Sequence, residues 1–124
     1  MVTGFVGPSA EVLVPLLIRR SSDSEPTRLH VWVDTAFTGD LALSESLIRN
    51  LGLRKTVTTL AVLADGSSRR VDTFAGYVDW FDEQREVEVV AGQNEIPLLG
   101  ACLLLGLRLE VDYSAMSVRI DLPA

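Results

Sequence analysis

Hydrophobic and polar positions alternate with a period of two over most of the chain, the spacing of strands whose two faces meet different surroundings. Val12, Val14 and Leu16 interleave with Leu13, Pro15 and Leu17, so this strand is apolar on both faces. The polar stretch 21–27, which carries Pro26, reads as a hairpin loop. The strand after it sets Leu29, Val31 and Val33 on one face and His30, Trp32 and Asp34 on the other. Asp34-Thr35-Ala36-Phe37-Thr38-Gly39 then breaks the alternation with turn-forming residues.

The period changes briefly after that break. Ser44 is a good N-cap, Leu47, Ile48 and Leu51 share a helical face, and Gly52 suits the position just past a helix end. Two runs rich in β-branched and aromatic residues follow, over 56–63 and 70–80. Ala64-Asp65-Gly66-Ser67-Ser68 joins them, and Asp-Gly between such runs signals a hairpin. A second turn is expected over 81–85, then a strand in which Val87 and Val89 alternate with Glu86 and Glu88. Pro97 precedes Leu98-Leu99-Gly100 and a short apolar helical stretch that Gly106 can stop. Two last strands, over 107–113 and 116–122, meet at Tyr113-Ser114-Ala115. The pattern predicts a mainly β fold with one or two short helices, either a small closed barrel or a sandwich. With 124 residues, no repeat and no linker, residues 1–124 are expected to form a single domain.

Composition narrows the chemistry. There are 11 lysines and arginines against 17 aspartates and glutamates, a net charge of −6, so nucleic acid is not expected as a partner. The chain has one His, His30, and one Cys, Cys102, too few for a zinc site of such ligands. Lys55 is the one lysine and stands in no phosphate-binding Gly-rich motif. No Ser sits in a G-x-S-x-G elbow that could use His30. Asp79, Asp82 and Glu83 lack a calcium-loop pattern and read as a solvated turn. Arg19-Arg20 and Arg69-Arg70 read as solvated hairpin positions, Cys102 as a small buried hydrophobe, and Trp80 and Tyr77 as core or interface. No metal or cofactor is expected, and hydrolytic chemistry falls to the carboxylates. A lone cysteine, an N-terminus without a secretory pattern and no apolar run longer than 96–107 together predict a cytoplasmic chain without a membrane partner. Mean hydropathy is +0.27, and the apolar surplus points to a subunit interface.

Val33-Asp34-Thr35-Ala36 at a strand end, a hairpin around Ala64-Asp65-Gly66-Ser67, and then Leu98-Leu99-Gly100 occur in an order that resembles the retropepsin-like aspartic proteases, their bacterial non-viral branch in particular. The resemblance spans nearly the whole chain and implies a small closed barrel of the acid-protease type. It further implies a homodimeric endopeptidase acting on peptide or protein substrates. Asp34 of each subunit would supply half of a catalytic dyad, two carboxylates sharing one proton. Thr35 would bond across the dimer, and the backbone of Ala36 would flank the dyad. Leu98, Leu99 and Gly100 would support the loop. Ala64, Asp65, Gly66 and Ser67 would form a flap over an extended peptide. The family usually has Gly where this chain has Ala36; a β-region φ there accommodates the methyl, whereas φ > 0 distorts the loop. The alternative reading is a catalytically inactive dimeric peptide-binding or scaffold domain of the same fold.

Overall fold

Strand β3 (Thr27–Asp34) shows how the alternation becomes a barrel: Val31 and Val33 are buried, while Trp32 between them is exposed. The computed structural model describes residues 1–62 and 64–123. Leu63, in the first arm of the expected hairpin, and Ala124, at the end of the expected domain, lie outside the described residues. The other strands are β1 (Val2–Val6), β2 (Val12–Arg19), β4 (Leu41–Ser44), β5 (Arg54–Val62), β6 (Ser68–Trp80), β7 (Glu83–Gly92), β8 (Leu98–Gly100), β9 (Arg108–Asp112) and β10 (Ser117–Asp121). Helix α1 (Glu45–Leu51) follows β4, and a 3-10 turn over Ala101–Leu104 follows β8.

Among the described residues these strands form one sheet in the order β5-β6-β7-β4-β8-β3-β2-β1-β10-β9. A second pairing of β6, with β2, closes six strands, β2-β3-β8-β4-β7-β6, into a ring. Closure removes two sheet edges and encloses the core. Strands β1, β10 and β9 extend the sheet beyond the ring on one side, and β5 extends it on the other. Val14, Val31, Leu41, Val78, Val89, Leu99, Leu103 and Ile120 are sealed from solvent. Each such side chain contributes roughly 1.5–3 kcal/mol by leaving water. The β2 strand, expected to be apolar on both faces, buries Val12, Val14, Leu16 and Ile18 and leaves Leu13, Pro15 and Leu17 half-buried.

The seam that closes the ring pairs Leu17 with Asp79, Ile18 with Val78 and Arg19 with Tyr77. It brings the Arg19 guanidinium onto both Asp79 carboxylate oxygens, at 3.2 and 2.9 Å. Two expectations change here. Arg19 is not a solvated hairpin position, and Asp79 does not belong to a wet turn. Strand closure sets them diagonally across the seam, and the two-point contact holds the Asp79 carboxyl below its ordinary range.

Local signals act as their chemistry dictates. The Ser44 hydroxyl accepts the Leu47 N–H at 3.2 Å and starts α1. Gly52, at φ 71°, ends it by donating its N–H to the carbonyls of Ile48 and Arg49. A helix of 7 residues is not stable alone, and the buried Ile48 docks it on the barrel. The β6–β7 turn is shorter than the expected 81–85, because Trp80 already pairs with Glu83. Phe81 and Asp82 adopt φ of 51° and 62° to make this two-residue turn, and Phe81 packs edge-on against Trp80. Trp80 is itself core, its indole N–H donating to the Leu103 carbonyl at 3.0 Å. Three strands were not expected, β1, β4 and β8. Strand β4 has only four residues, too few for a period. Strand β1 carries Gly4, where a Cβ would run into the Leu13 carbonyl of the neighbouring strand.

Candidate active site

Strand β3 ends at Asp34 between β2, the strand before it in the chain, and β8, which lies far along the chain. On its far side β8 runs parallel to it, pairing Trp32 with Leu98, Val33 with Leu99 and Asp34 with Gly100. Strand β4 then pairs antiparallel with β8, setting Leu41 against Leu99. Leu99 is therefore enclosed by strands on both sides and is fully buried. Beyond β3 the chain loops back onto the residues that follow β8. The N–H groups of Gly100, Ala101 and Cys102 donate to the carbonyls of Asp40, Phe37 and Gly39 at 2.8, 2.7 and 3.3 Å. Gly100 has ordinary extended dihedrals, φ −90° and ψ 171°, so its requirement is space. A Cβ there would collide with the Gly39 carbonyl and lie 2.8 Å from the Phe37 ring.

This stitching holds a tight turn at Asp34. The Phe37 N–H donates to the Asp34 carbonyl at 3.2 Å, and the Ala36 N–H donates to Asp34 Oδ1 at 3.0 Å. The carboxylate is thus oriented by its own loop. Asp34 stays half-exposed, and Thr35 and Ala36 are exposed beside it. Among the described residues the non-glycine positions with positive φ are Ala10, Phe81, Asp82 and Met116. Ala36 is not one of them, so the loop holds alanine without left-handed strain.

Asp34, Thr35, Ala36, Leu98, Leu99 and Gly100 are therefore neighbours. Their positions differ in kind. Leu99 and Gly100 lie behind the loop, whereas Leu98 is half-buried beside Trp32, on the sheet face that carries Asp34. Register extends this face. Phe5 pairs with Leu13, Leu13 with Trp32, Trp32 with Leu98, Leu98 with Ala42, and Ala42 with Val90. Directly paired residues point to the same side, so an apolar row crosses the sheet next to Asp34. Alternation in the sequence already sets Trp32 on the face of Asp34; its partners Leu13, Leu98 and Ala42 follow only from strand order. Asp40 is also part of the loop, its Oδ2 accepting the Glu88 N–H at 3.0 Å. Cys102 is half-buried rather than a core hydrophobe. A hydrogen bond to Asp40, together with that group's charge, pushes the Cys102 thiol pKa up. His30 is exposed, with its ring edge-on to Phe5.

Ala64, Asp65, Gly66 and Ser67 form the tip of a separate arm. Strand β6 pairs with β7 only from Thr73 onward, so the hairpin beyond that point rests on β5 alone. Asp65 Oδ1 accepts the Ser67 hydroxyl at 2.6 Å and the Ser67 N–H at 2.9 Å, and these two bonds hold its carboxyl below the usual range. Gly66 takes φ 86° with open space around it. The arm is anchored at its base. The Thr56 and Thr73 hydroxyls meet at 2.9 Å, and Asp72 accepts from Thr58 at 2.7 Å and lies 3.4 Å from the Lys55 ammonium. Among the described residues no group of three or more His, Cys, Asp or Glu could hold a metal ion, and no helix is long and apolar enough to cross a membrane.

No protein-family model matches the chain, and no curated protein matches it in sequence. Solved structures do. A retropepsin-like aspartic protease from Rickettsia conorii superposes with a TM-score of 0.62 at 16% identity, covering 97% of this chain and 89% of that one. The EIAV protease in complex with the inhibitor HBY-793 gives 0.59 at 16% identity, over 80% of this chain and 89% of that one. The retroviral protease-like domain of Ddi1 from Leishmania major gives 0.56 at 15% identity, over 90% and 88%. At these identities the likeness is one of fold. The chain has the retropepsin-like fold, a mainly β closed barrel with short helical elements.

Proposed function

We propose that the chain is a homodimeric aspartic endopeptidase that hydrolyses peptide bonds, with one Asp34 from each subunit forming the dyad. The observation that carries this reading is the Asp34 turn. Its carboxylate is oriented by the Ala36 N–H, its backbone is locked to Gly100, and its side chain remains open to solvent on an apolar sheet face. The names of the solved structures with this fold, proteases and a protease-like domain, support it.

Among the described residues Asp34 alone combines such a turn with pairing to Gly100, and the chemistry needs two carboxylates close together. A second copy related by a two-fold axis supplies the other. The pair shares one proton, because like charges a few ångströms apart cannot both ionise. The ionised carboxylate takes a proton from water as the water oxygen attacks the scissile carbonyl carbon. The protonated carboxyl donates to the carbonyl oxygen. Collapse of the tetrahedral adduct breaks the C–N bond, and the departing amine takes a proton from the dyad. Thr35, exposed beside Asp34, would bond across the two-fold axis, and the Ala64–Asp65–Gly66–Ser67 tip would cover the bound peptide.

A second reading, an inactive dimeric peptide-binding or scaffold domain, is favoured by Ala36, an exposed residue of the loop where the resembled family usually has glycine. One experiment separates the two. Wild-type protein and D34N are assayed against a peptide library at mildly acidic pH, with the oligomeric state of each measured by size-exclusion chromatography and light scattering. Cleavage by the wild-type dimer alone is the expected result. A wild-type dimer that cuts nothing selects the second reading, and equal cleavage by D34N removes Asp34 from the chemistry.

A further inference from the structure

One segment of this acidic chain is rich in cations. Five of its 11 lysines and arginines, Arg49, Arg54, Lys55, Arg69 and Arg70, fall within residues 45–72 together with three carboxylates, Glu45, Asp65 and Asp72. That segment carries a net +2, while the remainder of the chain carries −8. All five cations are exposed. Among the described residues only Lys55 of the five has a contact ion-pair partner, Asp72.

Strand register places one of these arginines with respect to Asp34. Arg69 stands four residues from Thr73 along β6 and so shares its face. Thr73 pairs with Val90, Val90 with Ala42, Ala42 with Leu98, and Leu98 with Trp32. Trp32 lies two residues before Asp34 on β3. Arg69 and Asp34 are therefore on the same face of the same sheet, with the apolar row between them. Beside Arg69 a cavity of about 370 Å³ is lined by Arg70, Glu45, Asp72, Val90 and Gln93. Asp72 is already engaged by Thr58 and Lys55, which leaves Arg69 and Arg70 facing one further carboxylate, Glu45, in this lining.

The chemistry of peptide hydrolysis gives no use for these arginines. A dyad with one shared proton is negative and repels an acidic ligand. Cations placed on the same face, on the arm beside the cleft, offset that repulsion at a distance from the reacting atoms. Arginine also matches a carboxylate with two parallel donors. We propose that the arm selects peptides carrying an aspartate or glutamate, which Arg69 engages as the arm folds over the ligand. This inference deepens the peptidase reading and rests on it for the position of the cleft.

The test separates the two. Fluorescent peptides differing only by glutamate or glutamine, scanned through each position, are titrated by anisotropy into full-length D34N, which binds without cutting. Glutamate at one position is expected to tighten binding roughly fivefold, the upper range of an exposed ion pair. R69Q in the same background should remove that preference, and R119Q, on β10, should keep it. Raising salt to about 1 M, where the Debye length falls to about 3 Å, should abolish it. Equal binding of the glutamate and glutamine peptides, or a preference that survives R69Q, overturns the inference. If D34N does not fold, the same peptides in competition for cleavage by the wild-type enzyme give the ratio directly. A library cut without any acidic preference overturns the inference and leaves the peptidase reading standing. A library left uncut removes the peptidase reading, while anisotropy on the wild-type protein still decides whether Arg69 recognises carboxylates.

Discussion

The Asp34 loop and the β5–β6 arm are both turns at strand ends, and they are built in opposite ways. The loop is stitched by main-chain hydrogen bonds to the residues after β8, and it rests on a leucine sealed from solvent and a glycine with no room for a methyl. The arm is a two-stranded ribbon with open space at its glycine, a local Asp65–Ser67 contact at its tip and threonine hydroxyl contacts toward its base. A group that handles protons must be held to a fraction of an ångström, whereas a cover over a polymer must move to admit it. On the proposed reading, the packing would give precision to Asp34 and the sparse support would let the arm admit a peptide.

The largest effect expected is from D34N, a loss of roughly 10²- to 10⁴-fold in kcat/KM on a cleaved peptide with the dimer intact. A smaller loss would mean that the loop's precision serves something other than proton transfer. Next is the support beneath it. Leu99→Ala should cost about 2–5 kcal/mol in urea unfolding, since it opens a cavity between Val33 and Leu41. Gly100→Ala should cost about 1–3 kcal/mol by overpacking Gly39 and Phe37, and should lower activity as the loop is pushed out. On the arm the sign of the comparison reverses. Asp65→Ala removes both bonds to Ser67, yet should leave the global urea midpoint in place while amide exchange rises around residues 64–67. A fall in the global midpoint would show that the arm is part of the cooperative core.

The smallest effect concerns the seam. Asp79 has a folded-state pKa lowered by Arg19, so the stability it contributes is present above the unfolded pKa near 3.8 and is lost as pH falls through the folded pKa. The wild-type advantage over D79N in urea midpoint should be full at neutral pH and fade below about pH 4. An advantage independent of pH would mean that the carboxylate's charge plays no part in closing the ring.

Much of this was legible in residue order. Ser44 and Gly52 mark the ends of α1 because capping is local chemistry, and Asp65-Gly66 marks the arm's turn for the same reason. The alternation in β3 already separates Val31 and Val33 from Trp32 and Asp34. Strands β1, β4 and β8 were not legible, being too short or interrupted by glycine to display a period. Arg19 and Asp79 were misread as solvated, because they are 60 residues apart and only closure of the ring makes them neighbours. Leu98 was read as support behind the loop; its pairing with Trp32 turns it onto the face of Asp34.

The sequence by itself determined most of the strand pattern, the capped helix, the Asp-Gly hairpin and the placement of Asp34 at a strand end, since each depends on residues within a few positions of one another. Tertiary structure alone decided that β8 lies parallel to β3, that Gly100 must lack a side chain, that Ala36 sits without left-handed strain, and that Arg69 shares a face with Asp34. Those facts depend on which strands meet and in what register, and hydrogen-bonded pairing between distant segments leaves no periodic trace in the order of the residues.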